Sequence, residues 1–104
     1  MSTEALEKML GKGMDNALLR FGLGKGYLDA KDLPRASENL QRCVAFDPSY
    51  SAAWKLLGQA LNSNGNADAA RHAWQQGIAA AQAKGDKQAE KEMTVFLRRL
   101  ERLG

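Results

Sequence analysis

Very few side chains in this sequence could take part in catalysis or metal binding. His72 is the only histidine, and Asp68, one helical turn earlier, is the only acid near it in the sequence. A metal site needs a set of His, Cys or carboxylate ligands at suitable spacing. General-base catalysis needs a nucleophile next to the base. Neither accompanies His72, so we expect it to be a solvent-exposed helical residue.

Two further features resemble reactive sites but favour structural interpretations. Cys43 is the only cysteine and falls on the same helical stripe as Leu40, where a free thiol acts as a small apolar side chain. The glycine-rich run 21–26 superficially resembles a phosphate-binding loop. However, Leu19 stands where the first glycine of that motif belongs, and no Ser or Thr follows Lys25. The sequence therefore predicts neither an enzyme nor a cofactor-binding protein.

The composition indicates a single helical domain. Alanine and leucine together supply 31 of the 104 residues, whereas isoleucine, valine and threonine supply five. Sheets depend on β-branched residues and helices on Ala and Leu, so a mainly β domain is excluded. The net charge of +3 is mild, and the N-terminus has no basic start or apolar run of a signal peptide. No window approaches the roughly 18 apolar residues of a membrane span. We expect a cytoplasmic protein with no membrane contact.

A 34-residue internal repeat is the strongest pattern in the chain. A shift of 34 places Leu23-Gly24 on Leu57-Gly58, and it places Leu40 on Trp74. The spacing resembles that of the tetratricopeptide repeat (TPR) family, whose pattern combines Trp, Leu-Gly, Tyr, Ala, Phe and Pro. Arg20 stands where the first copy would have tryptophan. The matching residues are Leu23, Gly24, Tyr27, Ala36, Leu40 and Pro48 in the first copy and Trp54, Leu57, Gly58, Leu61, Ala70 and Trp74 in the second.

The resemblance implies an all-α fold, a right-handed α-solenoid of antiparallel helix pairs. We predict one domain, 1–104, made of a half unit at 3–11, full units at about 15–48 and 51–84, and a capping helix at 87–102. Six helices are expected near 3–11, 15–30, 33–46, 51–64, 67–84 and 87–102. The 34-residue period does not hold in the last helix. A further shift of five residues aligns Met93, Phe96, Leu97 and Leu100 with Trp54, Leu57, Gly58 and Leu61.

Glycines and caps carry the local structural predictions. Gly24 and Gly58 lie inside helices, where each costs about 1 kcal/mol relative to Ala. We expect a neighbouring helix backbone to approach them closely; Gly22 and Gly26 have no assigned role beyond loosening the helix. Asp32 is predicted to be an N-cap and Gly65 a left-handed C-cap. The position that matches Gly65 in the first copy is Lys31, so that turn should be strained or built differently.

The candidate binding surface lies on the first helix of each pair, because these helices line the concave side of a stacked solenoid. Its residues away from the core run from apolar through polar to basic, a layout that suits a peptide or helix with an apolar anchor and acidic residues. Lys25 and Leu56 stand where family members that grip C-terminal carboxylates have asparagines, so that subtype is not predicted. The candidate residues are Leu18, Phe21, Lys25 and Leu28 on the first helix, Lys55, Leu56, Gln59 and Asn62 on the second, and Lys91, Arg98 and Arg102 on the last.

Three functions remain open at this point. The first is an adaptor that binds a segment of another protein in this groove. The second is a homodimer that forms through the exposed end helices. If the groove binds no peptide, Phe21 and Leu28 would instead contact the last helix or a second copy, and the arginines would be an ordinary solvent-exposed face. The third, and less favoured, is nucleic-acid binding through the basic last helix. Few aromatic side chains are left to stack on bases, and Lys55 and Arg71 are the only basic residues between 51 and 83.

Overall fold

The computed structural model describes residues 2–103, and within that range α-helices are the only regular secondary structure. Six α-helices follow one another with short connections, and their bounds agree with the predicted ones to within two residues. The helices are α1 (Thr3–Gly11), α2 (Ala17–Asp29), α3 (Leu33–Phe46), α4 (Ser51–Ser63), α5 (Ala67–Lys84) and α6 (Lys87–Leu103). We keep the division into one half unit, two full units and a cap as a proposal.

Each helix packs antiparallel on the next, and α4 also touches α2 and α6 directly. Because α4 lies between α2 and α6 and contacts both, these three helices form one layer, and α1, α3 and α5 form the other. The resulting body measures 43 × 29 × 19 Å. An elongated stack of this kind exposes one long face of each layer, and these two faces are the surfaces open to partners.

The helix ends follow the capping signals of the sequence. Asp32 caps α3, where its carboxylate accepts the backbone N–H of Arg35 at 3.3 Å, as predicted. Gly65 has φ +83°, the left-handed conformation expected after the end of α4. Lys31, the residue that matches Gly65, has φ +64° and is the only described non-glycine residue with positive φ. The unusual turn expected there is confirmed.

The core between the two layers consists of three clusters of buried apolar residues. Leu6, Leu19 and Leu23 join α1 to α2. A second cluster around Leu40 and Leu57 joins α3 to α4. The third joins α5 to α6, and its buried members are Ala70, Trp74, Ala81, Ala89, Met93 and Leu100. Each helix pair is therefore held to the next by buried apolar side chains.

The helical glycines make room for side chains, and the prediction of close backbone approach was wrong. A Cβ on Gly24 would overlap the side chain of Leu40, and a Cβ on Gly58 would overlap the indole of Trp74. Gly22 and Gly26, which had no assigned role beyond loosening the helix, also have a packing role. A Cβ there would meet Leu6 and Thr3 of α1. The four glycines therefore leave space for side chains of neighbouring helices.

Met93 and Leu100 of α6 are buried and Phe96 packs against them, as predicted, but the predicted offset of α6 from α4 was wrong. Ala89 and Met93 are buried against α5, in the same way that Ala53 and Leu57 of α4 are buried. Each pair is 36 residues apart, as are Ser51 and Lys87, the first residues of the two helices. Equivalent residues of α4 and α6 are therefore separated by the 34-residue period plus two residues, and not plus five as predicted. No helix among residues 2–103 combines the length and apolar character needed to cross a bilayer.

Candidate functional site

An open pocket of about 610 Å³ lies where the C-terminal ends of α2, α4 and α6 converge. Leu28 and Leu33 form one wall, and Phe96 and Leu103 of α6 form the opposite wall. The ring of Phe96 is held by Trp74 of α5, with 5.4 Å between ring centroids. Side-chain amides and a hydroxyl lie between the walls. These polar residues are Gln59, Asn62 and Ser63.

The rim of this pocket, hereafter the concave pocket, carries an excess of positive charge. Lys31 and Arg99 line it together with Asp29. The ion pairs within residues 2–103 involve other residues, so neither cation is neutralised by a carboxylate within 4 Å. Exposed cations without an internal partner can pair with carboxylates of a ligand. The pocket thus combines apolar walls with two available cations.

The structure brings three of the predicted residues into this pocket and places the other residues of α2 and α4 elsewhere. Leu28, Gln59 and Asn62 line it. Leu56 packs against the core cluster of Leu40 and Leu57. The remaining four are distributed as follows: the Lys55 ammonium is paired with Glu92 at 3.2 Å, Phe21 is stacked on Tyr50 at 4.8 Å, and Leu18 and Lys25 border a cavity between α1 and α2.

On α6 the predicted stripe does not line the concave pocket. Lys91, Arg98 and Arg102 are exposed and lie on the side of the helix opposite Met93, which is buried against α5. The pocket is instead lined by Phe96, Arg99, Leu100 and Leu103. The difference follows from the register, since the position of the core residues decides which side of a helix faces the pocket; a binding role for Lys91, Arg98 and Arg102 stays a prediction.

Sequence reasoning missed Lys31, Phe96, Arg99 and Leu103, although one signal could have found Phe96 and Arg99. Asp86 caps α6, and its carboxylate accepts the backbone N–H of Ala89 at 3.1 Å. An N-cap at 86 starts the helix at Lys87, 36 residues after Ser51. That register places Phe96 and Arg99 at the positions of Ala60 and Ser63, next to the polar centre of the pocket.

His72 and Cys43 differ in their exposure to solvent. His72 is exposed, and no group of three or more potential metal ligands occurs within residues 2–103. Cys43 is buried, and burial raises the pKa of its thiol to about 11. A thiol with that pKa is protonated at neutral pH and is a poor nucleophile.

An all-α solenoid with an open pocket on one face is the class of protein that these observations define. A curated relative, TPR repeat-containing protein PA0015 of Pseudomonas aeruginosa, is 69% identical over 102 residues, which cover 98% of this chain and 97% of the relative. No protein-family model matches the chain. The chain belongs to the tetratricopeptide repeat family, as its 34-residue pattern predicted.

Two solved structures have the same fold. The solution structure of protein BPP2914 from Bordetella parapertussis has a TM-score of 0.83 and 52% sequence identity, covering 96% of this chain and 87% of that one. A tetratricopeptide repeat domain protein from Salinibacter ruber has a TM-score of 0.80 at 23% identity, covering 86% of this chain and 100% of that one. The predicted fold class, an α-solenoid of antiparallel helix pairs, is confirmed. An interaction role is typical of this family.

Proposed function

We propose that this protein is a protein–protein interaction module that binds a segment of a partner protein in the concave pocket. The segment carries one large apolar side chain and nearby acidic residues. The observation that supports the proposal is the pairing of apolar walls, Leu28 and Leu103, with the cations Lys31 and Arg99 in one pocket. The cytoplasmic location and the lack of enzymatic activity belong to the same proposal, since TPR proteins are generally non-enzymatic scaffolds.

The apolar contact supplies most of the binding free energy in this proposal. Full burial of a Leu or Phe side chain contributes about 1.5–3 kcal/mol. Each exposed ion pair contributes only about 0.2–1 kcal/mol. Leu103, with 88% of its surface exposed, offers the largest apolar area that a ligand can cover. The cations at the rim then decide which segments bind, more than how tightly they bind.

A fluorescence-anisotropy titration tests the proposal with a defined probe. The probe is a 12-residue peptide with one Phe and three Glu, and its control has Gln in place of each Glu. We expect Leu103→Ser to weaken binding of the acidic peptide about tenfold, and Arg99→Glu to weaken it about three- to tenfold. The neutral peptide should be affected by Leu103→Ser but hardly by Arg99→Glu.

Arg102→Glu is the matched control, because Arg102 is exposed on the same helix outside the concave pocket. It makes the same charge change and should leave the affinity within a factor of two. Equal losses for Arg99→Glu and Arg102→Glu would contradict the proposal and would favour general electrostatic binding, including binding of nucleic acid to the basic side of α6. A dimer that dissociates on Leu103→Ser in sedimentation would instead assign the pocket to a second copy.

A further inference from the structure

The opposite layer carries two grooves that are related by the 34-residue repeat. The first convex groove lies between α1 and α3 and has a volume of about 400 Å³. The second convex groove lies between α3 and α5 and has a volume of about 510 Å³. Adding 34 to each of the seven residues that line the first gives a residue that lines the second. The pairs are Glu7 and Gln41, Leu10 and Val44, Arg20 and Trp54, Tyr27 and Leu61, Arg35 and Ala69, Glu38 and His72, and Asn39 and Ala73.

The side chains of the first convex groove bond to one another. Arg20 donates two hydrogen bonds to the carboxylate of Asp15, at 2.8 and 2.9 Å, and a third to Oδ1 of Asn39 at 3.0 Å. The hydroxyl of Tyr27 donates to Glu7 at 2.9 Å. This groove is occupied by its own polar network, and a ligand would have to replace these bonds.

The second convex groove has no such network. Its floor is formed by Trp54, whose indole N–H donates to the carbonyl oxygen of Pro48 at 2.8 Å. The indole N–H of Trp54 therefore has a hydrogen-bond acceptor within the protein, and the half-buried ring leaves apolar surface open to a ligand. Among residues 2–103, no Asp, Glu, Lys or Arg lines the groove, and His72 and Gln41 are its only polar lining residues. The other lining residues are Val44, Ala45, Pro48, Leu57, Leu61, Ala69 and Ala73.

We propose that the second convex groove is a docking site for an amphipathic helix of a partner protein, which presents an uncharged apolar face. The chemistry of the lining decides the character of that face. Burying an ionised group against Trp54 and Leu61 without a partner would carry a large desolvation penalty, whereas an apolar face gains free energy. The volume of about 510 Å³ lies within the range of small-ligand pockets.

The arrangement of the helices argues for a helical occupant. α3 and α5 both pack on α4, but their backbones do not meet. They run in the same direction, because each is joined to α4 by a reversal of the chain. The space above α4 is therefore a trough bounded by two helices, which is the surface that an amphipathic helix fills with its i, i+3, i+4 and i+7 residues.

Methyl NMR can locate such a ligand in solution. The probe is a neutral 14-residue peptide with Leu and Ala at helical i, i+3, i+4 and i+7 spacing and Gln and Ser elsewhere; N-acetyl-leucinamide is the single-residue reference. We expect saturable shifts at the methyl groups of Val44, Leu61 and Ala73. The peptide should bind at least tenfold more tightly than the amide, with a gain in helical circular dichroism. Shifts confined to Leu28 and Leu103, in the concave pocket, would overturn the proposal.

A variant that places charged residues of the first convex groove at the equivalent positions of the second tests whether the uncharged lining is required for peptide binding. Ala69→Arg with His72→Glu introduces the residues found at Arg35 and Glu38 without changing the net charge. We expect it to weaken peptide binding at least tenfold. The control, Gln75→Glu with Gln88→Arg, makes the same exchange at exposed positions outside the groove and should leave binding unchanged. Unchanged binding in the groove variant, or a groove-dependent dimer in sedimentation, would overturn the proposal; equal melting temperatures would show that both variants fold.

Discussion

The helix pairs α2–α3 and α4–α5 share one backbone plan and differ at three kinds of position. In both pairs a helical glycine receives the large residue of the facing helix, which is Leu40 in one and Trp74 in the other. Arg20 with its hydrogen bonds occupies the place that Trp54 holds in the second pair. The turn inside each pair is made by a lysine in one and a glycine in the other. The comparison shows that the backbone of the repeat depends on the helical glycine and the large side chain that packs against it. Other positions can differ, as where the charged Arg20 of the first pair corresponds to the apolar Trp54 of the second.

The largest expected effect comes from filling the glycine positions. We expect Gly58→Ala to destabilise the protein by about 1–3 kcal/mol, since the new methyl overlaps the Trp74 indole, and the gain in helix propensity does not offset this. Gly24→Ala should cost less within that range, because the Leu40 side chain can adjust while the indole N–H is bonded to the carbonyl oxygen of Lys55. Urea unfolding followed by circular dichroism measures both.

Gly11→Ala provides the control for this comparison. Gly11 lies in α1, and no atom of another element would contact a Cβ placed there. The substitution should be neutral or should stabilise the protein by up to about 1 kcal/mol. Equal destabilisation at all three glycines would contradict the packing role assigned to Gly24 and Gly58.

The second prediction concerns Arg20. In Arg20→Met the Oδ1 atom of buried Asn39 loses its donor, and we expect a loss of about 1–3 kcal/mol at pH 7. The loss should depend on pH, because the hydrogen bonds from Arg20 hold the pKa of Asp15 below its usual range. A carboxylate with a lowered folded-state pKa stabilises the protein above its unfolded-state pKa of about 3.9, and this stabilisation disappears as pH falls through the folded-state value.

The difference between wild type and Arg20→Met should therefore be largest at pH 7 and shrink as the pH falls below about 4. Unfolding midpoints in urea across this range measure it, with Arg98→Met as an exposed control that should remain close to wild type at every pH. A difference that does not vary with pH would mean that the Asp15 pair contributes nothing to the fold.

The smallest effect is expected at the turns. Lys31 and Gly65 are 34 residues apart and have φ +64° and +83°. The left-handed conformation costs a non-glycine residue about 1–2 kcal/mol, partly offset by the chain entropy that glycine loses on folding. We expect Lys31→Gly to stabilise the protein by up to about 1 kcal/mol and Gly65→Ala to destabilise it by about 1 kcal/mol. Melting temperatures check both, and changes of the same sign would refute the equivalence of the turns.

The sequence alone predicted the helices well because their signals are local. Asp32, Gly65 and the spacing of Leu23 and Leu57 mark helix ends and core faces directly. The packing partner of the helical glycines was not predictable, since it depends on which side chain of the facing helix fills the gap. The α6 side of the concave pocket was missed for a related reason. α5 is 18 residues long, so the strict period no longer reports where α6 begins or which side it buries.

The central claim is that one helical framework presents two chemically different surfaces, each next to one tryptophan. Trp74 lines the concave pocket and Trp54 the second convex groove. The most direct measurement is therefore a ¹H–¹⁵N NMR titration read at the two indole N–H signals, with the acidic 12-residue peptide and then with the neutral helical peptide. We predict that the acidic peptide shifts the Trp74 signal alone and the neutral peptide the Trp54 signal alone. Two signals that respond together to both peptides, or to neither, would contradict the claim.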